Sequence, residues 1–483
     1  MEEEETRRTR RTQSGTERGR GVPDLLKGDR IYPILGIGLF LLLSSLLVVS
    51  DLRANAATFV LIITSATLLL FGLFRLTRGS GTAPSRTTII VGAILLRVLL
   101  LPLTPSLSDD AWRYLWDGRL VLNGISPYHH FPNDSSLAGF HDELYRLQGY
   151  PETNTIYPPG AQLLFAASIA IAAPLGDDPL IGYYVWKIIL VAIELGAILL
   201  LLKLLDRHRL DRGWALLYAW HPLVLVEIAG QGHTDGLWVA ALGLAFWGYD
   251  RMRQGDGLGA VGLGVVTRIF PALIAPVWFR FIEPGRRVKA LLWGVPVLLL
   301  LIPLLDPVAF DTYTRVAARF TNYYEFNGGF YYAVKRLLDE LRVMPSNTIA
   351  GLITTGVLIV GVAMITLRPI RRRTFESLLL RVLGIITLQI ALTAKVHVWY
   401  VVAPLFLLPL ERSRRFAPGW LWMSLVAPMT YLYYAVVPNS EPLWLLWAEW
   451  AGLGLLLIFG FITRREPSTV ESESAATASG FNA

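Results

Sequence analysis

The chain has 483 residues, 53% of them hydrophobic and only 17% charged. It contains no cysteine, which excludes disulfides and thiolate metal sites. Its net charge of +7 does not point to nucleic acid, because the basic residues sit in short loops beside apolar runs, where they act as topology signals. Runs of about 17–25 apolar residues recur, the length that spans a bilayer core, and the short alternating segments of a β-barrel are absent. An all-α polytopic membrane protein is expected, since in lipid the backbone polar groups must be satisfied within helices.

Residues 1–30 are charged and poor in apolar residues, with no signal-peptide apolar core ahead of the first run. They are expected to form a disordered cytoplasmic tail. The membrane domain is expected over 31–463, with a second disordered cytoplasmic tail over 464–483. Apolar runs lie near 31–50, 56–74, 88–104, 158–174, 180–204, 213–230, 235–249, 258–281, 288–305, 348–367, 376–394, 397–410, 418–437 and 441–463. Arg7, Arg8, Arg10, Arg11, Arg18 and Arg20 place the N-terminus inside, and Arg75, Arg78 and Arg86 return the second loop to that side. The third run then exits, so the 105–157 loop is external. If 158–174 crossed fully, the basic loop with Lys203, Arg207, Arg209 and Arg212 would fall outside, against the rule. A dip and return by 158–174, and another by 258–281 with its turn near Arg268–Pro271, puts every later basic loop inside. The expectation is about twelve crossings plus two re-entrant hairpins, with large external loops at 105–157 and 306–347 and both termini cytoplasmic. Such hairpins are tolerated only where they are buried in protein or line a cavity, so they should border a site.

The most informative stretch is SDDAWRYLWDGRLVLNGISPY, Ser108–Tyr128. Asp110, Tyr114 and Asp117 are spaced to share one helical face, with Arg113 beside it. Trp112, Trp116 and Arg119 form a second stripe, which predicts a surface helix with its tryptophans in the membrane interface. A plain structural alternative exists for the acids: Ser106-x-x-Asp109 fits a capping box, and Asp110 suits a helix N-terminus. Arg268, inside an apolar run, has the alternative of pairing with a buried carboxylate such as Glu194 or Glu227. Thr234 and Asp235 have that of a helix start, Lys395 and His397 that of interfacial anchors beside Trp399, and Asn327 with Gly328–Gly329 that of a turn. His129 and His130 have no partner cluster with metal-ligand spacing.

These residues, followed by TIYPPGAQLLF at Thr155–Phe165, resemble the GT-C superfamily of membrane glycosyltransferases. The resemblance is to the bacterial branch related to polyprenyl-phosphate-mannose-dependent mannosyltransferases. Further matching segments are Tyr218–Gly236, Val265–Phe279, Tyr323–Tyr332 and Lys395–Leu410, in order along roughly residues 88–410. Arg268 stands where that branch commonly has lysine, and Thr234 where it often has asparagine. The resemblance implies a GT-C-like fold whose first external loop carries the catalytic carboxylate, Asp110 or else Asp109. It implies transfer of a hexose, mannose in that branch, from a polyprenyl-phosphate donor to a lipid or glycan acceptor on the extracytoplasmic face of a bacterial cytoplasmic membrane. Arg268, Lys395, His397 and His233 become candidates for the donor phosphate. Arg113, Tyr114, Asp117, Asp235 and Asn327 complete the expected substrate-binding set. No cofactor is expected and no metal ligand is assigned; divalent-metal dependence is left open. The rival class is a lipid or sugar transporter or flippase, for which the repeats of such folds are missing.

Overall fold

A computed structural model describes residues 31–80, 83–252, 254–322, 324–436 and 441–463. Both expected tails, 1–30 and 464–483, lie outside the described residues. Among those residues the secondary structure is helical throughout, with one isolated parallel bridge, Phe326 to Lys395, and no strand. Seven helices are long and apolar enough to cross a membrane: Ile31–Val48, Ala56–Arg78, Pro179–Arg207, Pro284–Leu305, Ser346–Leu367, Phe375–Leu392 and Leu443–Thr463. Four shorter apolar helices accompany them, at Pro159–Leu175, Gly255–Thr267, Phe270–Phe281 and Val398–Leu410.

The fold opens with α1 (Ile31–Ser44), α2 (Ala56–Ser80) and α3 (Arg86–Leu100). The 105–157 segment follows and contains α4 (Asp110–Leu122); α5 (Pro159–Ala172) and α6 (Pro179–Arg207) come next. Helix α6 runs antiparallel to α3, and polar contacts at three levels record the register. Lys187 Nζ donates to the carbonyls of Leu101 (2.6 Å) and Leu103 (2.7 Å) at the end of α3. Arg97 and Glu194 pair midway at 2.6 Å, and Arg86 pairs with Asp206 at the start of α3. Helix α6 therefore begins at the level where α3 ends. Helix α5 lies antiparallel against its first turns: the Phe165 and Trp186 rings are 5.1 Å apart, and Ile169 packs on Gly182. The segment 159–175 is a single helix that ends at the level where α6 begins.

The segment 254–281 is broken. Helix α7 (Asp235–Asp250) leads to α8 (Gln254–Thr267), a break at Arg268–Pro271, and α9 (Ala275–Phe281). A Cβ on Gly257 near the start of α8 would lie 3.3 Å from Trp278 Nε1 in α9, so the segment ends beside its own beginning. Proline at 271 has no N–H to continue the α8 ladder. At the tip, Gly160 of α5 meets the Val266 backbone, so the two segments touch.

The apolar run at 213–230 does not form a single helix either. Residues 212–230 are broken into short pieces, with His221 Nδ1 accepting from the Leu223 N–H before Pro222 and a π-turn at Val226–Gly230. Such a turn re-aims side chains inside an otherwise helical path, and here it carries Glu227.

The absence of native cysteine allows a direct test of these levels. Single cysteines at Ser135 and Asp177, both exposed, should react with an impermeant thiol reagent from the same side of sealed membranes, and those at Arg209 and Gly285 from the opposite side. Opposite labelling of Ser135 and Asp177 would mean that 159–175 crosses.

Candidate active site

The entry to α4 is held from three sides. Gln231 Oε1 accepts from the Leu107 N–H (3.0 Å), Gln231 Nε2 donates to the Thr104 carbonyl (3.3 Å), and the Tyr434 hydroxyl donates to the Leu107 carbonyl (2.9 Å). Asp109 occupies the N-cap position without a side-chain capping bond. The capping box expected from Ser106 and Asp109 does not form, because the Asp109 carboxylate is drawn to Arg53, whose Nη2 donates to it at 2.8 Å. Arg53 also donates from Nε to the Ser106 carbonyl (2.9 Å) and lies over the Tyr434 ring. Sequence reading passed over Arg53. Its signal was an arginine in a loop that the charge rule places outside, where a basic residue needs a local reason. Asp110, half-buried in the first turn, differs from its neighbour. Its N–H bonds Ser108 Oγ, but its carboxylate has no ion pair or hydrogen bond among the described residues.

Both aspartates open onto a cavity of about 470 Å³, which Arg53, Arg113, Tyr150, Lys395 and His397 also line. Arg113 donates from Nε to Asp117 (2.8 Å) and from Nη1 to the Thr153 carbonyl (2.8 Å). Asp117 itself is fully buried behind the wall, also accepting from Gln162 Nε2 at 3.1 Å. Tyr114 is buried too, stacked on Phe165 at 4.7 Å. The expected membrane placement of the tryptophans is corrected. Trp116 is fully buried against His141 and Tyr145, and Trp112 packs on Tyr183, because residues 135–147 and α6 cover that stripe.

The opposite wall is the 394–397 segment. The Phe326 N–H donates to the Ala394 carbonyl (3.1 Å) and the Val396 N–H to the Phe326 carbonyl (2.7 Å). This pairing requires glycine next door: a Cβ at Gly328 would stand 2.5 Å from the Ala394 oxygen. Asn327, in the left-handed region at φ 50°, stitches the loop to the helix Leu443–Thr463. Its Nδ2 donates to Glu449 (2.6 Å), its Oδ1 accepts from Trp450 Nε1 (3.0 Å), and its N–H donates to Glu441. Asn327 is thus buried behind the wall, while Phe326 faces the cavity. The Lys395 ammonium lies 4.8 Å from the Phe320 ring and 5.4 Å from that of Tyr324, with no ion pair or hydrogen bond among the described residues. Burial holds its pKa below the usual lysine range, opposed by the Asp110 charge. His397 stacks on Trp399 at 4.2 Å.

The remaining expected residues lie outside this cavity. His233 is buried, stacked on Trp399 at 3.6 Å, with Nδ1 2.9 Å from Glu227; the Tyr431 hydroxyl also reaches that carboxylate. Arg268 pairs with Asp235 at 2.5 Å, under Tyr400 at 4.6 Å. The two border a narrow crevice walled by Phe270, Ile385 and Ile390. Neither Glu194 nor Glu227 is the Arg268 partner, because Arg97 holds the first and His233 with Tyr431 the second. Thr234 makes no side-chain capping bond. His129 pairs with Asp306 and His130 with Asp134, and no group of three candidate metal ligands occurs among the described residues.

Apolar helices gather around a cavity whose lining includes a carboxylate and an ammonium with no ion pair among the described residues. A family model described as alpha-(1->6)-mannopyranosyltransferase, N-terminal domain, matches residues 40–283, and the chain belongs to that mannosyltransferase family, which is of the GT-C type. GPI mannosyltransferase 1 of Gibberella zeae is 31% identical over 112 residues, 22% of this chain and 26% of that protein. The chain thus aligns with about a quarter of that relative's length.

The Arg97–Glu194 pair is fully buried, so removing one partner strands a charge. Glu194→Leu should destabilise the protein by about 3–5 kcal/mol, and the double variant Arg97→Leu/Glu194→Leu by distinctly less. Thermal unfolding in detergent measures the difference.

Proposed function

We propose that the protein transfers a mannosyl group from a polyprenyl-phosphate sugar to a hydroxyl of a lipid or glycan acceptor, with Asp110 as general base. The observation that carries this reading is the division of labour between the two adjacent aspartates. Arg53 neutralises Asp109, while Asp110 faces the same cavity as the unpaired Lys395. In the reaction the acceptor oxygen attacks C1 of the sugar and its proton passes to the Asp110 carboxylate. The bond from C1 to the phosphate oxygen breaks, and its electron pair leaves with the phosphate. A carboxylate in this role contributes about 10²–10⁴ in rate. The leaving phosphate already carries charge, so it needs cations rather than an acid. Lys395 supplies one inside the cavity, with His397 beside it and Arg113 on the facing wall. In this reading Arg268 acts from the neighbouring crevice, its charge shared with Asp235.

The same reading sets the protein in a bacterial cytoplasmic membrane with twelve crossings and two hairpins. The 105–157, 230–236, 306–347 and 395–397 segments are then extracytoplasmic. The extracytoplasmic face suits a lipid-borne donor that has already been carried across.

Asp110→Asn is nearly isosteric and should lower transfer from polyprenyl-phosphate mannose by about 10²–10⁴ at unchanged protein yield. Asp109→Asn should cost less, since its partner Arg53 can still donate to the amide oxygen. Near wild-type transfer by Asp110→Asn would remove it as the base. A wild type that moves lipid across vesicles but transfers no sugar would replace the transferase with a flippase.

A pH profile tests Lys395. Anion binding needs its protonated form, and burial makes that form lose its proton at lower pH than an ordinary lysine. The KM for the lipid-phosphate donor should therefore rise on the alkaline side before ordinary lysines titrate. In Lys395→Arg the rise should vanish, because guanidinium stays charged. An unchanged profile in that variant would assign the pH dependence elsewhere.

A further inference from the structure

A second cavity of about 330 Å³ lies between the helices Gly329–Glu340 and Leu443–Thr463, outside the stretch matched by the family. Its lining combines the indoles of Trp447 and Trp450 and the ring of Tyr332 with the carboxylates of Asp339 and Glu441. The size is that of a small-ligand pocket. The charges narrow the ligand class. Of the two cations in the lining, Lys335 pairs with Glu325 at 2.6 Å, while Arg336 makes only an exposed pair with Glu340 at 3.3 Å. A phosphate would face two carboxylates there, with Arg336 alone, exposed and shared with Glu340, to oppose them. Asp339 has no ion pair or side-chain hydrogen bond among the described residues, so its oxygens are open to hydroxyl donors. Glu441 is held in place by the Tyr332 hydroxyl (2.7 Å) and the Asn327 N–H. Trp447 is 52% exposed and lines the cavity with those carboxylates, offering an apolar face.

An apolar ring face next to open carboxylate acceptors matches a neutral pyranose. The C–H face of the sugar covers the indole and its hydroxyls donate to the carboxylates. The position adds a second argument. Phe326 lines the catalytic cavity and Gly329 lines this one. Three residues of chain span at most about 11 Å, so the near edges of the two cavities lie within the length of a short oligosaccharide. We propose that this cavity is a sugar-binding subsite, which holds a residue of the glycan acceptor distal to the hydroxyl that reacts. The inference rests on the transferase reading for its purpose but not for its binding.

The test uses the full chain in lipid nanodiscs, with octyl α-mannoside and an octyl α-1,6-mannotetraoside as acceptors and polyprenyl-phosphate mannose as donor. Wild type should show a KM for the tetraoside about tenfold below that for the monosaccharide, a difference of about 1.4 kcal/mol. Trp447→Ala and Asp339→Asn should each raise the tetraoside KM toward the monosaccharide value at similar kcat, with thermal unfolding unchanged. Equal losses on both acceptors, or no change on either, would overturn the subsite. Calorimetric titration of methyl α-1,6-mannotetraoside without donor separates this inference from the transferase reading. Binding to wild type that Trp447→Ala abolishes supports the subsite even if no transfer is seen. Absent binding, undiminished binding in Trp447→Ala, or displacement of the tetraoside by glycerol phosphate at equal concentration would overturn it, the last in favour of a lipid headgroup.

Discussion

Charge taken out of water has to be compensated where it sits, and this constraint organises the molecule. A buried ion in an apolar interior costs several kcal/mol unless a partner and hydrogen bonds replace its hydration. Arg97 is matched by Glu194, Arg268 by Asp235, and Arg113 by Asp117. Lys187 is matched by carbonyls alone, those of Leu101, Leu103 and Gly230. These pairs do more than neutralise. Lys187 joins the end of α3 to the turn before His233, and Gln231 then holds the chain entering α4. The carboxylates of the SDD motif are thus fixed by groups some eighty to one hundred and twenty positions away in the chain. Against this background of paired charge, Asp110 and Lys395 stand apart at the cavity.

Irregular backbone concentrates around the same place. The tip of the 254–281 hairpin, the start of α5, the π-turn at Val226–Gly230 and the Phe326–Gly329 loop all lie beside the cavity, its crevice or the groups that position them. Backbone of this kind at membrane depth survives only where protein or a cavity satisfies it. Each break has a local cause in residue type. Pro271 ends a helical ladder, His221–Pro222 starts a new one, and Gly328 permits the close approach to Ala394. The functional consequence is placement: without that approach the bridge from Phe326 to Lys395 could not form.

The sequence by itself determined the helical class, the break in 254–281 near Arg268–Pro271, and the family. Apolar run length, Lys/Arg placement and motif order are local quantities that need no coordinates. It also put Asp109, Asp110, Arg113, Lys395 and His397 in one candidate set, and the structure gathers those five around one cavity. What only the tertiary structure decided is which polar groups are engaged and which are open. Asp109 and Asp110 are adjacent and chemically identical in the sequence; Arg53, more than fifty positions away, distinguishes them. Tyr114 and Asp117 share a helical face with Asp110, yet α5 packs over that face through the close approach of Gly118 to Phe165 and buries both. Asn327 and His233 sit in motifs of the right kind, but distant partners, Glu449 for the first and Trp399 for the second, hold them behind the wall. Ion pairing and burial depend on distance in space, which helix packing sets and spacing along the chain does not.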